Sequence, residues 1–119
     1  DLSSFATEPP VPLMRLYHPR LPWYIDVVAS YPVGATLQDV FSALWRFLHA
    51  RIQRSDFYNS AVTEEERAKI AGAFHARCGE DRAGVAQGVR RVDFLMRECM
   101  FLGLSKGRDG MWEMRTRKI

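Results

Sequence analysis

Apolar and polar residues alternate through LMRLY (Leu13 to Tyr17) and through WYIDVVAS (Trp23 to Ser30). Both stretches are dense in β-branched and aromatic residues, which predicts two strands joined around Pro19 to Pro22. Strand alternation puts Trp23, Ile25, Val27 and Ala29 on one face and Tyr24, Asp26, Val28 and Ser30 on the other. Ahead of them DLSSFATEPPVP has three prolines and no period. It is expected to be a flexible or polyproline-like lead-in over 1–12, with a single α+β domain over 13–119.

The period then changes. In LQDVFSALWRFLHARI the positions Leu37, Val40, Phe41, Leu44, Phe47, Leu48 and Ile52 recur at helical spacing, with Gln38, Ser42, Arg46, His49 and Gln53 on the wet side. Thr36 followed three residues later by Asp39 is a capping-box-like start. RSDFYNSAV reads as a connector. Thr63 then caps a second helix whose first turn, Glu64 to Glu66, sets carboxylates against the positive end of the helix dipole. Its narrow apolar stripe is Ile70, Ala71, Phe74 and Cys78, and Gly79 ends it. GEDRAGVAQG is expected to be a mobile, glycine-punctuated loop. MFLGLS and MWEMRTR, separated by KGRDG, predict a C-terminal hairpin. The fold class is α+β: a small antiparallel sheet, made of the N-terminal strand pair and the C-terminal hairpin, covered by two helices.

GVRRVDFL fits the helical period somewhat better than the strand period. As a strand it divides its charges between two faces. As a helical turn it gathers Val89, Val92, Leu95, Met96 and Cys99 and leaves Arg90, Arg91, Asp93, Phe94 and Arg97 elsewhere. Solvent exposure with a local Arg/Asp pair accounts for the charges. The alternative is a buried pair that fixes geometry or binds a partner.

At 119 residues the chain is one domain's worth, and seven Phe, three Trp and four Tyr supply a core without disulfides or metals. Cys78 and Cys99 stand outside any CxxC framework and read as free thiols, pointing to a cytoplasmic or nuclear setting. No apolar run approaches the ~20 residues that span a bilayer, so no membrane partner is expected. The net charge is +3, and fourteen of the seventeen basic residues are Arg. Because they are spread along the chain they do not outline a nucleic-acid surface.

Candidate chemistry is sparse. His75 and Cys78, three apart on a helix, could be two metal ligands or a Cys/His nucleophile pair, but either use needs a third group. Asp26 and Asp93 would act as a carboxylate pair only if their elements meet. No phosphate-binding or nucleophile-elbow motif occurs, and no cofactor is implied.

RLYHPRLPWYIDVVAS, GATLQDVFSAL, FHARC, GVRRVDFLMRECMFLGLS and the closing MWEM together resemble a family of uncharacterised fungal domains, best known from mushroom-forming fungi. The likeness runs from Leu13 to Arg115. It implies a fold and a fungal setting, and no activity.

The expected function is therefore a non-catalytic protein–protein interaction module that engages another protein or a second copy through a sheet edge or the exposed aromatics near the hairpin. The candidate contact residues are Trp23, Tyr24, Arg90, Arg91, Asp93, Trp112 and Arg115. The opposing expectation buries Trp112 and Met114 and has Arg115 and Arg117 blunt the edge. Single-stranded nucleic-acid binding is the alternative, and a small enzyme using His75 and Cys78 the second.

Overall fold

The computed structural model describes all 119 residues, which group into two compact units. Unit one comprises 1–47 and 101–116, and unit two 48–100 and 117–119. The chain contains a four-stranded sheet of β1 (Leu13–Tyr17), β2 (Ile25–Val28), β3 (Met100–Lys106) and β4 (Trp112–Arg117), in the order β2-β1-β4-β3. The α+β class, the N-terminal strand pair and the C-terminal hairpin agree with the expectation. The joint between the two pairs differs. β1 and β2 are antiparallel, but β1 and β4 run parallel with Leu16 opposite Trp112 and Tyr17 opposite Glu113, so the sheet is mixed.

Strand alternation decides which side is dry. Met14, Leu16, Ile25, Val27 and Met114 are buried, and with Val40, Ala43 and Leu44 of α1 (Leu37–Leu48) they supply the core of the first unit. The intervening residues Leu13, Arg15, Asp26, Val28 and Arg115 are exposed, which leaves one sheet face open. The first twelve residues, expected as a lead-in, run alongside 34–38. Ala6 N–H donates to Ala35 O at 2.9 Å, Leu37 N–H to Ser4 O at 2.9 Å and Ala35 N–H to Val11 O at 2.7 Å.

The capping box of α1 forms as its spacing predicts. Thr36 N–H donates to the Asp39 carboxylate at 3.0 Å and Asp39 N–H to Thr36 Oγ1 at 3.2 Å. Ser30 adds its hydroxyl, and its N–H at 3.1 Å. These donors, the Ser30 hydroxyl first, hold the Asp39 carboxyl down at about 2. Its folded pKa lies below the ~3.9 of a free Asp, so its stabilisation is in place above about pH 4 and is lost as pH falls through about 2. NMR titration of the Asp39 carboxyl carbon is expected to show that low midpoint, and Ser30→Ala to raise it. A wild-type midpoint near ~4 would contradict the cap geometry.

In the second unit the short α2 (Arg54–Phe57) precedes α3 (Glu64–Cys78), whose Thr63 cap and Glu66 exchange hydrogen bonds at 3.1 Å. Gly79, at φ 52°, ends α3 as expected. The predicted loop GEDRAGVAQG is instead largely helical: α4 spans Arg82–Gln87, and the Asp81 side chain accepts from Ala83 N–H at 3.1 Å. One Asp cap outweighs the glycine punctuation there. Helix α1 stops at Leu48, and Ile52 lies beyond it, donating to Val89 O at 3.3 Å.

Candidate functional site

The open sheet face begins as cross-strand pairs. Leu13 lies opposite Val28 and Arg15 opposite Asp26. Arg15 forks the Asp26 carboxylate through Nε at 2.8 Å and Nη2 at 3.2 Å, lowering the carboxyl's pKa and raising that of the guanidinium. Both side chains are about half exposed, at 52% and 51%, so solvent screens the pair and it orders the face more than it stabilises the fold. The same guanidinium lies 5.4 Å from the Tyr24 ring centre. The face thus displays an ordered Tyr/Arg/Asp group beside exposed aliphatic Leu13 (61%) and Val28 (73%).

Where β1 turns toward β2, HPRLP forms the wall of a cleft of about 600 Å³ lined by Tyr17, His18, Leu21, Tyr24, Arg108 and Glu113 among others. His18 is buried. Arg20 N–H donates to its Nδ1 at 3.1 Å, which places the proton of the neutral ring on Nε2, facing Thr116 Oγ1 at 2.8 Å. With both nitrogens engaged, the ring is a wall and not a poised base. Tyr17 OH donates to Glu113 Oε1 at 3.4 Å, and the Arg108 guanidinium lies 4.7 Å from the Tyr17 ring centre.

The sheet has two end strands, and they differ. β2 is four residues long with Asp26 at its middle. β3 is seven residues long, MFLGLSK, with no charge before Lys106. Leu102 of β3 is 59% exposed. Phe101 meets Phe41 of α1 edge-on, with centroids 5.8 Å apart, and Phe41 and Trp45 are themselves 41% and 66% exposed. The helical period had assigned Phe41 to the core stripe and left Trp45 unassigned. Leu102, next to Phe101 in the strand, is exposed on the opposite face of β3, so apolar side chains stand open on both sides of it.

The predicted contact residues scatter. Tyr24 (51% exposed) and Arg115 stand on the open face, where Arg115 Nε lies 3.9 Å from Glu113. Trp23 lies in the loop before β2, edge-on to Phe47 at 6.1 Å, and Trp112 sits partly covered in β4 while Met114 is buried. Arg115 and Arg117, expected to blunt an edge, belong to an inner strand flanked by β1 and β3. Arg117 still reaches the end strand, its Nε donating to Met100 Sδ of β3 at 3.1 Å.

Arg90, Arg91 and Asp93 lie in the second unit, where GVRRVDFL is neither a strand nor an α-helical turn but a 3-10 turn over Arg91–Leu95. Asp93 is 2% exposed, so it is no surface contact. Its carboxylate accepts from Arg77 Nε at 2.8 Å, Arg77 Nη2 at 2.9 Å and Arg90 N–H at 2.9 Å. The partner is thus Arg77 of α3, sixteen residues back, while the Arg90 side chain reaches Gln87. The expected local, solvent-exposed pair is corrected to a buried one: a short side chain on a 3-10 turn packed against α3 points inward.

His75 is exposed and leans on Phe74 at 5.0 Å, while Cys78 is buried, so the pair does not open on a shared site. Asp26 and Asp93 each have their own arginine. No cluster of three or more His, Cys, Asp or Glu is placed to hold a metal ion. No helix is long and apolar enough to cross a membrane.

The chain belongs to a family of unknown function, DUF6699, which matches residues 1–110 and so includes the twelve residues before β1. No curated protein and no solved structure matches the chain.

Proposed function

We propose that this member of the family is a non-catalytic protein-interaction module that binds by strand addition at β3, and that the strand it takes up is β3 of a second copy. One observation carries the reading: the longer end strand of the sheet runs seven residues with no proline and no charged side chain of its own before Lys106, so from Met100 to Ser105 it lacks the usual devices that keep edges from pairing. A two-fold contact sets residue i against j and j against i, and only the residue on the axis faces its own copy, so a charge at the centre of the strand would repel itself. Antiparallel self-pairing of β3 about Gly103 sets Leu102 against Leu104, Phe101 against Ser105 and Met100 against Lys106, with no like charges opposed. Gly103, at φ 145°, has no side chain to hinder a second backbone. Exposed Phe41 and Trp45 lie on the Phe101 side of the strand and exposed Leu102 on the other, so a second copy would meet apolar side chains on both faces.

The non-catalytic half of the proposal rests on the separation of the one nucleophile pair the sequence offers, His75 being exposed and Cys78 buried. Two free thiols favour the cytoplasm or nucleus as its setting. Sedimentation velocity over a hundredfold concentration range is expected to show a monomer–dimer equilibrium. Leu102→Lys puts a charge on the edge and is expected to shift it to monomer by at least ~1.4 kcal/mol, a tenfold weakening, with folding stability within ~0.5 kcal/mol of wild type because the site is exposed. A monomer at every concentration would overturn the proposal. The single-stranded nucleic-acid reading draws on exposed Tyr24 beside Arg15, and binding to an oligonucleotide that weakens steeply with salt would favour it instead.

A further inference from the structure

The cleft between the HPRLP wall and the 107–111 connector contains a cation that the fold holds in place without pairing it. The Arg108 guanidinium makes no hydrogen bond or ion pair, yet the backbone that carries it over the Tyr17 ring, 4.7 Å from the ring centre, is closely determined. The connector closes through Gly107 N–H to Met111 O and Met111 N–H to Arg108 O, both 2.9 Å, and Met111 is buried. Two successive residues, Asp109 at φ 55° and Gly110 at φ 75°, occupy the left-handed region. Asp109 there is locally costly, and such conformations persist where surrounding contacts impose them. Gly107 lies so close to Tyr17 that a Cβ would collide with the phenol ring. Tyr17 is itself buried, which fixes the surface on which the guanidinium stacks.

A guanidinium lying over a ring keeps its N–H edge free, and that edge has the spacing of a two-oxygen anion. The walls add Tyr24, Leu21 and Pro22, an apolar surface for the body of a ligand. Glu113 shares the cleft and selects the charge. Its carboxylate is only partly offset by Tyr17 OH at 3.4 Å and by Arg115 at 3.9 Å. It repels a dianion about twice as strongly as a monoanion at the same distance.

We infer that this cleft binds a carboxylate carried on an apolar or aromatic body, with Arg108 forking the carboxylate and Tyr24 covering the body. The site stands whether or not β3 pairs two copies. The carboxylate can belong to a free small acid or to the C-terminus of a peptide, and the two sources share this chemistry.

The test is NMR titration of the whole chain with phenylacetate, with a tetrapeptide ending in a free C-terminal Phe, with the same peptide amidated, and with inorganic phosphate. Saturable shifts at Tyr17, Tyr24 and the Arg108 side chain are expected with at least one of the free acids and not with the amide. Response to phenylacetate alone assigns a small acid, and a stronger response to the free peptide assigns a chain terminus. Arg108→Ala is expected to weaken binding about tenfold or more, and Arg108→Lys to recover only part of it because the fork is lost. Tyr24→Ala is expected to weaken binding with the thermal midpoint unchanged, both side chains being exposed. No saturable shift with either acid, equal binding of the amide, phosphate binding as tightly as the acids, or full affinity in Arg108→Ala would each overturn the assignment.

Discussion

Replacing Asp93 with Ala is expected to destabilise the protein by about 3 kcal/mol, at the lower end of the cost of breaking a buried ion pair because Arg77 retains 27% side-chain exposure. Three donors converge on this carboxylate. Two come from one guanidinium on α3 and the third is the Arg90 amide that starts the 3-10 turn. Removing the acceptor leaves the Arg90 amide unpaired and the Arg77 cation with only the Gly88 carbonyl, 3.4 Å from Nη2, and partial contact with solvent. Arg77→Ala is expected to cost a similar amount, because it leaves the Asp93 carboxylate buried beside a single remaining donor. The double variant is expected to be less destabilised than the two single costs added together, since each single change already breaks the same pair. Denaturant unfolding with an unchanged slope measures this directly. A loss under ~0.5 kcal/mol for Asp93→Ala would return the pair to the exposed, weakly coupled class.

The second large effect is expected at Gly107. Its φ of −115° suits any residue, so the requirement is steric. An added Cβ would overlap the Tyr17 hydroxyl and fall 2.5 Å from Cε1. Tyr17 is 9% exposed and cannot swing aside freely, so Gly107→Ala is expected to cost about 2 kcal/mol, in the range of overpacked cores. It is also expected to displace the Arg108 stack and shift the Tyr17 ring resonances. Unchanged stability together with unchanged Tyr17 resonances would show that the connector does not press on the ring.

Local signals in the chain accounted for the elements, and non-local pairing accounted for most of the surprises. Alternation gave β1 and β2, and the caps at Thr36 and Thr63 depend on partners three residues away, well within reach of a spacing argument. The Asp93 partner is sixteen residues distant on another element, and nothing in GVRRVDFL points to Arg77. FHARC was visible as a segment, but its arginine carried no mark distinguishing it from thirteen others. The parallel joint of β1 to β4 was equally hidden, because strand period is the same in either direction. That joint determines which strands are edges: it places Arg115 and Arg117 on an inner strand and leaves β3, charged only at Lys106, at the end of the sheet. Phe41 misled for a different reason: helical spacing tells which residues share a face, not how far the apolar stripe extends past the core. The Arg108 placement needs a turn closing onto Tyr17 across 91 positions, and no pattern in KGRDG shows that.

The central claim, that β3 is a pairing edge for a second copy, is tested most directly by mixing isotope-labelled and unlabelled chains and recording contacts between copies. Intermolecular contacts are expected to centre on Gly103, linking Leu102 of one copy to Leu104 of the other, with slowed amide exchange over 101–105 that grows with concentration. Intermolecular contacts centred elsewhere, or β3 amides that exchange at the same rate at every concentration, would contradict it.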